Sequence, residues 1–219
     1  MGIGAPKEKR LALVIGNSKY REGTKLRDPA NDAIGISLAL EGFDFEVVGG
    51  RKDGINLDFL SFSERVRDFA RRLRQSNATV ALFFYAGHGI QLDGRNYLVP
   101  IDTKLKYELG IYSELIDLDK IFFEMDRPNC TSLVMLDACR NNPFGQNLRR
   151  AIASDDTRAI SGSSPGFAAR PSVVTLIAFA AAPGKVAFDG ERNVAGAGRW
   201  VCAWDYAWSG FYICGDGVC

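Results

Sequence analysis

The sequence predicts a single α/β domain whose central sheet is mostly parallel and carries helices on both faces. Two patterns favour this fold class: short apolar runs alternate with segments of helical periodicity, and the runs are continuously apolar rather than alternating. The composition agrees, because 219 residues with 47% hydrophobic and 24% charged residues are typical of one globular domain. We therefore expect residues 1–219 to form one domain.

Five apolar runs are predicted to be buried strands. They are residues 10–16, 43–48, 79–85, 131–136 and 173–180. Between the third and the fourth run, residues 90–100 predict a hairpin, because Asp93-Gly94 is a favoured tight turn between apolar arms. Residues 145–171 are rich in Ser, Gly, Ala and Arg and lack a clear period, which indicates an exposed loop.

A first helix is predicted after the first strand. Asp28 is its expected N-cap, Pro29 takes the first helical position and Gly42 ends it. Its predicted apolar face consists of Ala30, Ala33, Ile34 and Leu38.

A second, longer helix is predicted from apolar residues that recur at steps of three and four. These residues are Phe59, Phe62, Val66, Phe69 and Leu73. The arginines of this segment lie mostly off that stripe, so we interpret them as a solvated face rather than a phosphate site. A third helix is predicted over residues 113–125.

Charge and hydropathy restrict the classes of partner. Lys and Arg number 27 and Asp and Glu 26, so the net charge of +1 gives no support for binding nucleic acid or an anionic membrane. No run approaches the roughly 18 to 20 apolar residues of a membrane helix, and the first ten residues lack the apolar core of a signal peptide. We expect a cytoplasmic protein, or a periplasmic or secreted one if the true start lies upstream.

One histidine and one cysteine form the candidate catalytic pair. His88 is the only histidine; it follows the third strand between Gly87 and Gly89, and Cys139 follows the fourth. If these strands are neighbours, imidazole and thiol share the crevice at their carboxyl ends. The imidazole can then take the thiol proton and the thiolate can attack a carbonyl.

The amides of Gly89 and Cys139 are candidate donors to the oxyanion. No carboxylate is clearly placed to orient the imidazole, which favours a dyad.

Plainer interpretations of the same residues stay open at this point. A lone Cys after a strand is often a small buried hydrophobe, and a lone His in a turn often only donates hydrogen bonds. Five cysteines, an odd number, do not suggest a disulfide framework. The last three, Cys202, Cys214 and Cys219, have no histidine partner and no paired short spacing, so no metal site is predicted.

A set of ordered motifs resembles a known family. Residues 82–89, followed by residues 137–140, resemble the caspase-like cysteine peptidases, in which a histidine precedes the catalytic cysteine by about 50 residues; here Cys139 lies 139 − 88 = 51 positions after His88. The bacterial caspase-family and metacaspase-like branch is more similar still. Its further motifs resemble residues 10–17, 31–33, 96–100, 137–144 and 182–184. The similarity covers residues 9–193.

The resemblance implies a caspase-like three-layer fold and a role for each candidate residue. His88 would be the general base and Cys139 the nucleophile. Metacaspases cut after Arg or Lys, and Asp32 and Asp137 match the residues of their specificity pocket. Asp137 stands where caspases have a neutral Gln, which places negative charge where a basic side chain would be recognised. From the residues alone, Asp32 can equally stabilise its helix through the dipole, and Asp137 can be a turn residue.

The resemblance also implies an organisation and a set of partners. Residues 9–145 would be the large-subunit-like part, residues 146–171 a cleavable linker and residues 172–193 the start of the small-subunit-like part. The expected partner is a protein or peptide substrate, with monomer and homodimer both open. No cofactor is expected; some metacaspases need calcium, and no ligand set in this chain commits to it. Basic bonds for self-processing are offered at Arg149, Arg150, Arg158 and Arg170.

Residues 194–219 depart from the family pattern. They hold all three tryptophans and three of the five cysteines and show no period of helix or strand. We hypothesise that this segment results from a truncation or a shifted reading frame. Two functions follow as hypotheses: a cysteine endopeptidase that cleaves after Arg or Lys and processes its own linker, or a catalytically inactive caspase-like interaction module.

Overall fold

The structure is a computed structural model that describes residues 8–92, 95–104, 112–139, 176–179 and 212–214. The strands are β1 (Arg10–Gly16), β2 (Phe45–Gly49), β3 (Val80–Leu92), β4 (Arg95–Leu98), β5 (Ile116–Asp117), β6 (Thr131–Cys139), β7 (Leu176–Phe179) and β8 (Tyr212–Cys214). The helices are α1 (Pro29–Gly42), α2 (Gly50–Asp53), α3 (Phe59–Ser76) and α4 (Leu118–Met125).

The strands form one sheet in the order β2-β1-β3-β6-β7-β8. The first five strands in this order are parallel, and β8 is antiparallel to β7. Two short strands branch from this path, since β4 pairs antiparallel with β3 and β5 pairs with β4. The mostly parallel sheet confirms the predicted α/β class.

Helices cover both faces of the sheet, and an apolar cluster lies between the sheet and the helices on each face. On one face, α1 packs through Ala33 and Leu40 against Ala12, Val14, Leu82, Phe84 and Ala86. On the other face, α3 and α4 bury a larger cluster that includes Leu13, Phe62, Phe69, Phe83, Ile121 and Phe122. Because β1 and the first part of β3 are covered on both faces, residues 11–15 and 80–86 are all aliphatic or aromatic. The continuous hydrophobic runs in the sequence have this physical cause.

The predicted strands are confirmed, with changes at their ends. The first matches β1, but β2 begins at Phe45 instead of residue 43, because Asp44 adopts a left-handed φ of 61°. The third continues to Leu92 as one arm of the predicted hairpin, which pairs Leu92 with Arg95. The described part of the fifth run is β7.

The third helix is shorter than predicted. It begins at Leu118 rather than at residue 113, because Ile116 and Asp117 pair with β4 as a strand. The Asp117 side chain then caps α4 by accepting a hydrogen bond of 3.0 Å from the backbone N–H of Asp119.

The capping residue and the apolar face predicted for α1 need correction. Asp28 occupies the N-cap position, but its side chain makes no cap hydrogen bond. Instead Ser18, from the loop before the helix, accepts a hydrogen bond of 2.9 Å from Ala30 N through its Oγ. Leu38 is 48% exposed, whereas Leu40 faces the sheet. The inward stripe therefore runs along Pro29, Ala33, Ser37 and Leu40.

The long helix α3 confirms both parts of its interpretation. Phe62, Phe69 and Leu73 are buried along its inward stripe. Its outward arginines form partly exposed ion pairs: Arg65 with Asp53, Arg71 with Asp68, Arg72 with Asp68 and Glu46, and Arg74 with Glu124. Such pairs contribute little to stability, so the apolar stripe holds this helix to the sheet.

The C-terminal segment contains more regular structure than its composition predicts. Tyr212–Cys214 form β8 and pair with β7, although the sequence of residues 194–219 shows no period of helix or strand. The remainder of that segment and the predicted linker, residues 146–171, lie outside the described residues.

We expect Asp58→Ala to lower the free energy of unfolding by about 1 kcal/mol. Asp58 is the N-cap of α3 and accepts a hydrogen bond of 2.9 Å from the backbone N–H of Ser61. The backbone and side-chain hydrogen bonds from Ser61 hold the pKa of Asp58 below its ordinary value. A lowered folded-state pKa means that this contribution is complete at neutral pH and is lost as the pH falls below about 4.

Denaturant unfolding at pH 7 and pH 3 measures the effect. Asp28→Ala is the matched control, because that N-cap makes no side-chain hydrogen bond, and we expect no significant loss. Equal losses in the two variants, or a difference that persists undiminished at pH 3, would contradict the capping role.

Candidate active site

The register between β3 and β6 brings the predicted pair together. These strands are parallel neighbours, and their pairing begins at Val80 opposite Thr131 and ends at His88 opposite Cys139. Adjacent strands lie about 4.8 Å apart, so the two residues occupy the same level of neighbouring strands. The sequence placed both residues directly after their strands, whereas β3 extends past His88 and β6 includes Cys139.

The imidazole of His88 is buried and held by the loop between β1 and α1. Only 2% of the residue is exposed. The ring of Tyr20 lies 4.4 Å from the imidazole centroid to centroid, and His88 Nε2 lies 2.7 Å from the carbonyl oxygen of Thr24. A carbonyl oxygen only accepts hydrogen bonds, so the neutral imidazole carries its proton on Nε2. Nδ1 is then the basic nitrogen.

The main chain of His88 is bound by two tyrosine hydroxyls. Its N–H donates to Tyr20 Oη at 2.7 Å, and its carbonyl accepts from Tyr85 Oη at 2.8 Å. Gly87 provides the necessary space: its φ is 153°, and a Cβ at this position would lie 2.6 Å from both hydroxyl oxygens. The groups that approach the backbone at Gly87 are thus the hydroxyls of Tyr20 and Tyr85.

The loop that supplies Tyr20 and Thr24 is anchored at its start. Asn17 is buried; its N–H donates to Ala86 O at 2.9 Å, and its side-chain Oδ1 accepts from Leu57 N at 2.8 Å. The Oδ1 of Asn56 accepts from Ser18 N at 2.9 Å and from Lys19 N at 2.8 Å. These bonds fix the course of the chain directly before Tyr20.

The orienting group of the imidazole was missed by sequence reasoning. The sequence shows no carboxylate clearly placed to orient the imidazole, and the carbonyl oxygen of Thr24 makes this contact instead. Every residue has a carbonyl, so this contact leaves no signature in the sequence. Tyr20 has a weak signal: it is an aromatic residue in an otherwise polar loop after a buried strand.

The two predicted specificity residues lie on the same face of the sheet. Asp32 is half-buried in the first turn of α1. Asp137, also half-buried, is in register with Ala86 of β3, which packs in the cluster beneath α1. Gly16, in register with Ala86, lies directly below the first turns of α1. The row from Gly16 to Asp137 therefore spans two strand spacings, about 10 Å.

Gly89, one of the two predicted oxyanion donors, lies in the part of β3 that forms the hairpin with β4. It pairs with Leu98 of β4, one residue beyond His88. Its position is thus fixed relative to the imidazole by the strand that both residues share.

A second cysteine provides a contrast. Cys130 is a free, half-buried thiol before the start of β6, at the end of the strand opposite to Cys139. Burial raises the pKa of the Cys130 thiol, which disfavours the reactive thiolate. Cys130 packs against the larger core cluster, as expected of a residue at a strand edge.

Among the described residues, no three His, Cys, Asp or Glu side chains gather as a metal site would require. Every helix in this part of the chain is too short or too polar to cross a membrane.

Several known proteins are similar to this chain. A family profile described as the caspase domain matches residues 9–198. The human mucosa-associated lymphoid tissue lymphoma translocation protein 1 is 29% identical over 131 residues, which are 60% of this chain and 15% of that protein. Caspase-1-B of Xenopus laevis is 25% identical over 150 residues, covering 65% of this chain and 37% of that protein.

Among solved structures, the Drosophila initiator caspase Dronc superposes with a TM-score of 0.48 and 13% sequence identity, over 80% of this chain and 56% of that chain. The chain thus matches well under half of the length of the curated relatives named above.

Gly87→Ala is expected to destabilise the protein by about 2 kcal/mol or more. The new methyl group would clash with the hydroxyls of Tyr20 and Tyr85, and the positive φ of residue 87 is unfavourable for alanine. Gly35→Ala is the matched control. No atom lies within 4 Å of a Cβ at residue 35 inside α1, so this variant should gain about 0.5 to 1 kcal/mol. Denaturant unfolding measures both; equal stability of the two variants would refute the crowding at Gly87.

Proposed function

Because the chain belongs to the caspase family of cysteine peptidases, we propose that it is a cysteine endopeptidase with Cys139 as nucleophile and His88 as general base. The observation that carries this proposal is the register of β3 and β6, which aligns these two residues on neighbouring strands. The hydrogen bond between His88 Nε2 and Thr24 O adds support, because it leaves Nδ1 as the nitrogen able to accept a proton.

The proposed reaction begins with transfer of the Cys139 thiol proton to Nδ1 of His88. The thiolate attacks the carbonyl carbon of the scissile peptide bond, and the carbonyl electrons move to oxygen. The resulting imidazolium keeps its Nε2–H bond to Thr24 O, and this contact with a carbonyl dipole favours the positive charge. His88 then gives its Nδ1 proton to the leaving amine, and the C–N bond breaks.

The second half of the reaction releases the acid product. Water gives a proton to His88 and attacks the thioester carbon, and the C–S bond breaks as Cys139 recovers a proton from His88. In both halves, we assign the backbone N–H groups of Gly89 and Cys139 as donors to the developing oxyanion. Preorganised donors of this kind typically contribute about a hundredfold or more to the rate.

We further propose that the enzyme cleaves after Arg or Lys. Asp137 precedes the proposed nucleophile by two residues, and it lies on the sheet face that also carries α1 and Asp32. Two carboxylates on one face favour a basic side chain, since a guanidinium or ammonium group can pair with them. The same preference would direct self-processing to the arginines of residues 146–171.

We expect His88→Ala to lower kcat/KM by about 10²- to 10⁴-fold, because the general base is removed. Cys139→Ala should abolish turnover, because no thiolate can form. A fluorogenic peptide with arginine before the reporter group measures both. Cys130→Ala is the control, and its turnover should match the wild type, since that thiol lies at the far end of β6.

The same variants also test self-processing. On a denaturing gel, the wild type should lose its full-length band through cuts within residues 146–171, and Cys139→Ala should keep it. Undiminished turnover in Cys139→Ala would refute the mechanism. Absence of turnover and of labelling of Cys139 by an arginyl affinity probe would favour the inactive interaction module.

Asp137→Asn should lower kcat/KM for an arginine peptide by about tenfold to a hundredfold, through loss of a charged hydrogen bond of about 1.5 to 3 kcal/mol. The effect should be small on a matched peptide with glutamine in place of arginine. Asp126→Asn, an exposed residue after α4, is the control and should leave both peptides unchanged. Equal losses for the two peptides in Asp137→Asn would contradict the specificity role.

A further inference from the structure

We propose that Tyr20 and Tyr85 are positioning residues for His88, and that they act through a closed ring of hydrogen bonds around its main chain. This inference rests on the proposed function, since it concerns the base of that reaction. Two hydroxyl groups from different parts of the fold meet beside the main chain of this one residue of β3.

The directions of the hydrogen bonds follow from the number of protons available. The N–H of His88 donates to Tyr20 Oη at 2.7 Å, so Tyr20 accepts there. Tyr85 Oη has one proton, and its shortest acceptor is the His88 carbonyl oxygen at 2.8 Å; Val99 O is more distant at 3.2 Å. The two hydroxyls are 3.3 Å apart, so Tyr20 donates to Tyr85.

These three bonds form a closed cycle. It runs from His88 N–H to Tyr20, from Tyr20 to Tyr85, and from Tyr85 back to the carbonyl of His88. Each hydroxyl both accepts and donates, and in buried surroundings such bonds strengthen one another. Val99 N, directly after β4, also donates to the His88 carbonyl at 3.1 Å and so holds that carbonyl from the neighbouring strand segment.

Packing holds both phenol rings in place. Tyr85 is fully buried, and its ring stacks on Phe62 of α3 with a centroid distance of 5.8 Å. Tyr20 is buried in a separate apolar cluster with Ile90 and Leu92. Gly87 leaves the space in which the two hydroxyls meet. The cycle therefore joins three parts of the fold: the core beneath α3, strand β3 and the loop before α1.

The loop before α1 holds His88 at two points. Tyr20 binds the main chain and lies against the face of the ring, and Thr24, four residues later, accepts from Nε2. Loss of the Tyr20 hydroxyl leaves a buried N–H without this acceptor and opens the cycle. The imidazole then loses its fixed distance from Thr24, and with it the preference for the Nε2–H tautomer.

The test uses the fact that the chain contains a single histidine, so that ¹⁵N spectra of histidine-labelled protein report His88 alone. Tyr20→Phe keeps the aromatic ring and removes the hydroxyl. We expect a mixed tautomer, exchange of the Nε2 proton with water faster by about tenfold or more, and kcat lower by about tenfold with KM within about twofold, as for the loss of one buried hydrogen bond.

Tyr97→Phe is the matched control. Tyr97 is a buried tyrosine in the same apolar cluster as Tyr20, and its ring contacts Tyr112. This variant should show the wild-type tautomer, exchange rate and kcat. Tyr85→Phe opens the cycle at its other hydroxyl and keeps the acceptor for the His88 N–H; it should resemble Tyr20→Phe, and it supplies the comparison if Tyr20→Phe fails to fold.

The outcomes separate this inference from the proposed function. The inference is overturned if the wild-type protein lacks the Nε2–H tautomer. It is also overturned if Tyr20→Phe and Tyr85→Phe lower the unfolding midpoint but keep the tautomer and the Nε2 proton exchange rate of Tyr97→Phe. A tautomer that is present in the wild type and lost in Tyr20→Phe supports it even where no peptide is cleaved. In that case only the peptidase proposal fails.

Discussion

The candidate site depends on the register in which β3 pairs with β6. A slip of one residue would remove Cys139 from the position opposite His88. Apolar rows below the site oppose such a slip. Leu82 pairs with Leu133, and Phe84 pairs with Met135, on the face that packs against α1. Packing deep in the sheet thus determines the juxtaposition at its edge.

The groups that hold His88 in the described hydrogen bonds, at its ring and at its main chain, are neutral. Thr24 contributes a carbonyl and Tyr20 a hydroxyl, and His88 is almost fully buried. A carboxylate at such a depth would have to give up its hydration, at a cost of several kcal/mol. A carbonyl dipole orients the ring and favours the imidazolium without that cost. A buried base oriented by a main-chain carbonyl is therefore physically reasonable in this fold.

The sequence predicted those features that depend on local pattern. The bounds of β1 follow from a continuous apolar run and the inward stripe of α3 from a sustained helical period, and His88 and Cys139 lie in register because parallel strands end at one edge. Features that depend on partners distant in sequence were wrong. Ser18 replaces Asp28 at the start of α1, and the pairing of residues 116–117 with β4 shortens α4. The Thr24 carbonyl belongs to the same group, because only the course of the folded loop brings it to His88.

The contact at Thr24 is made by the main chain, which limits how it can be altered. Any of the twenty residues at this position would still present the same oxygen, so systematic side-chain truncation along the loop would not detect it. Insertion or deletion of one residue between Tyr20 and Asp28 would displace it at once. Selection on this part of the protein should therefore act on the number of residues in the loop more strongly than on the identity of residue 24.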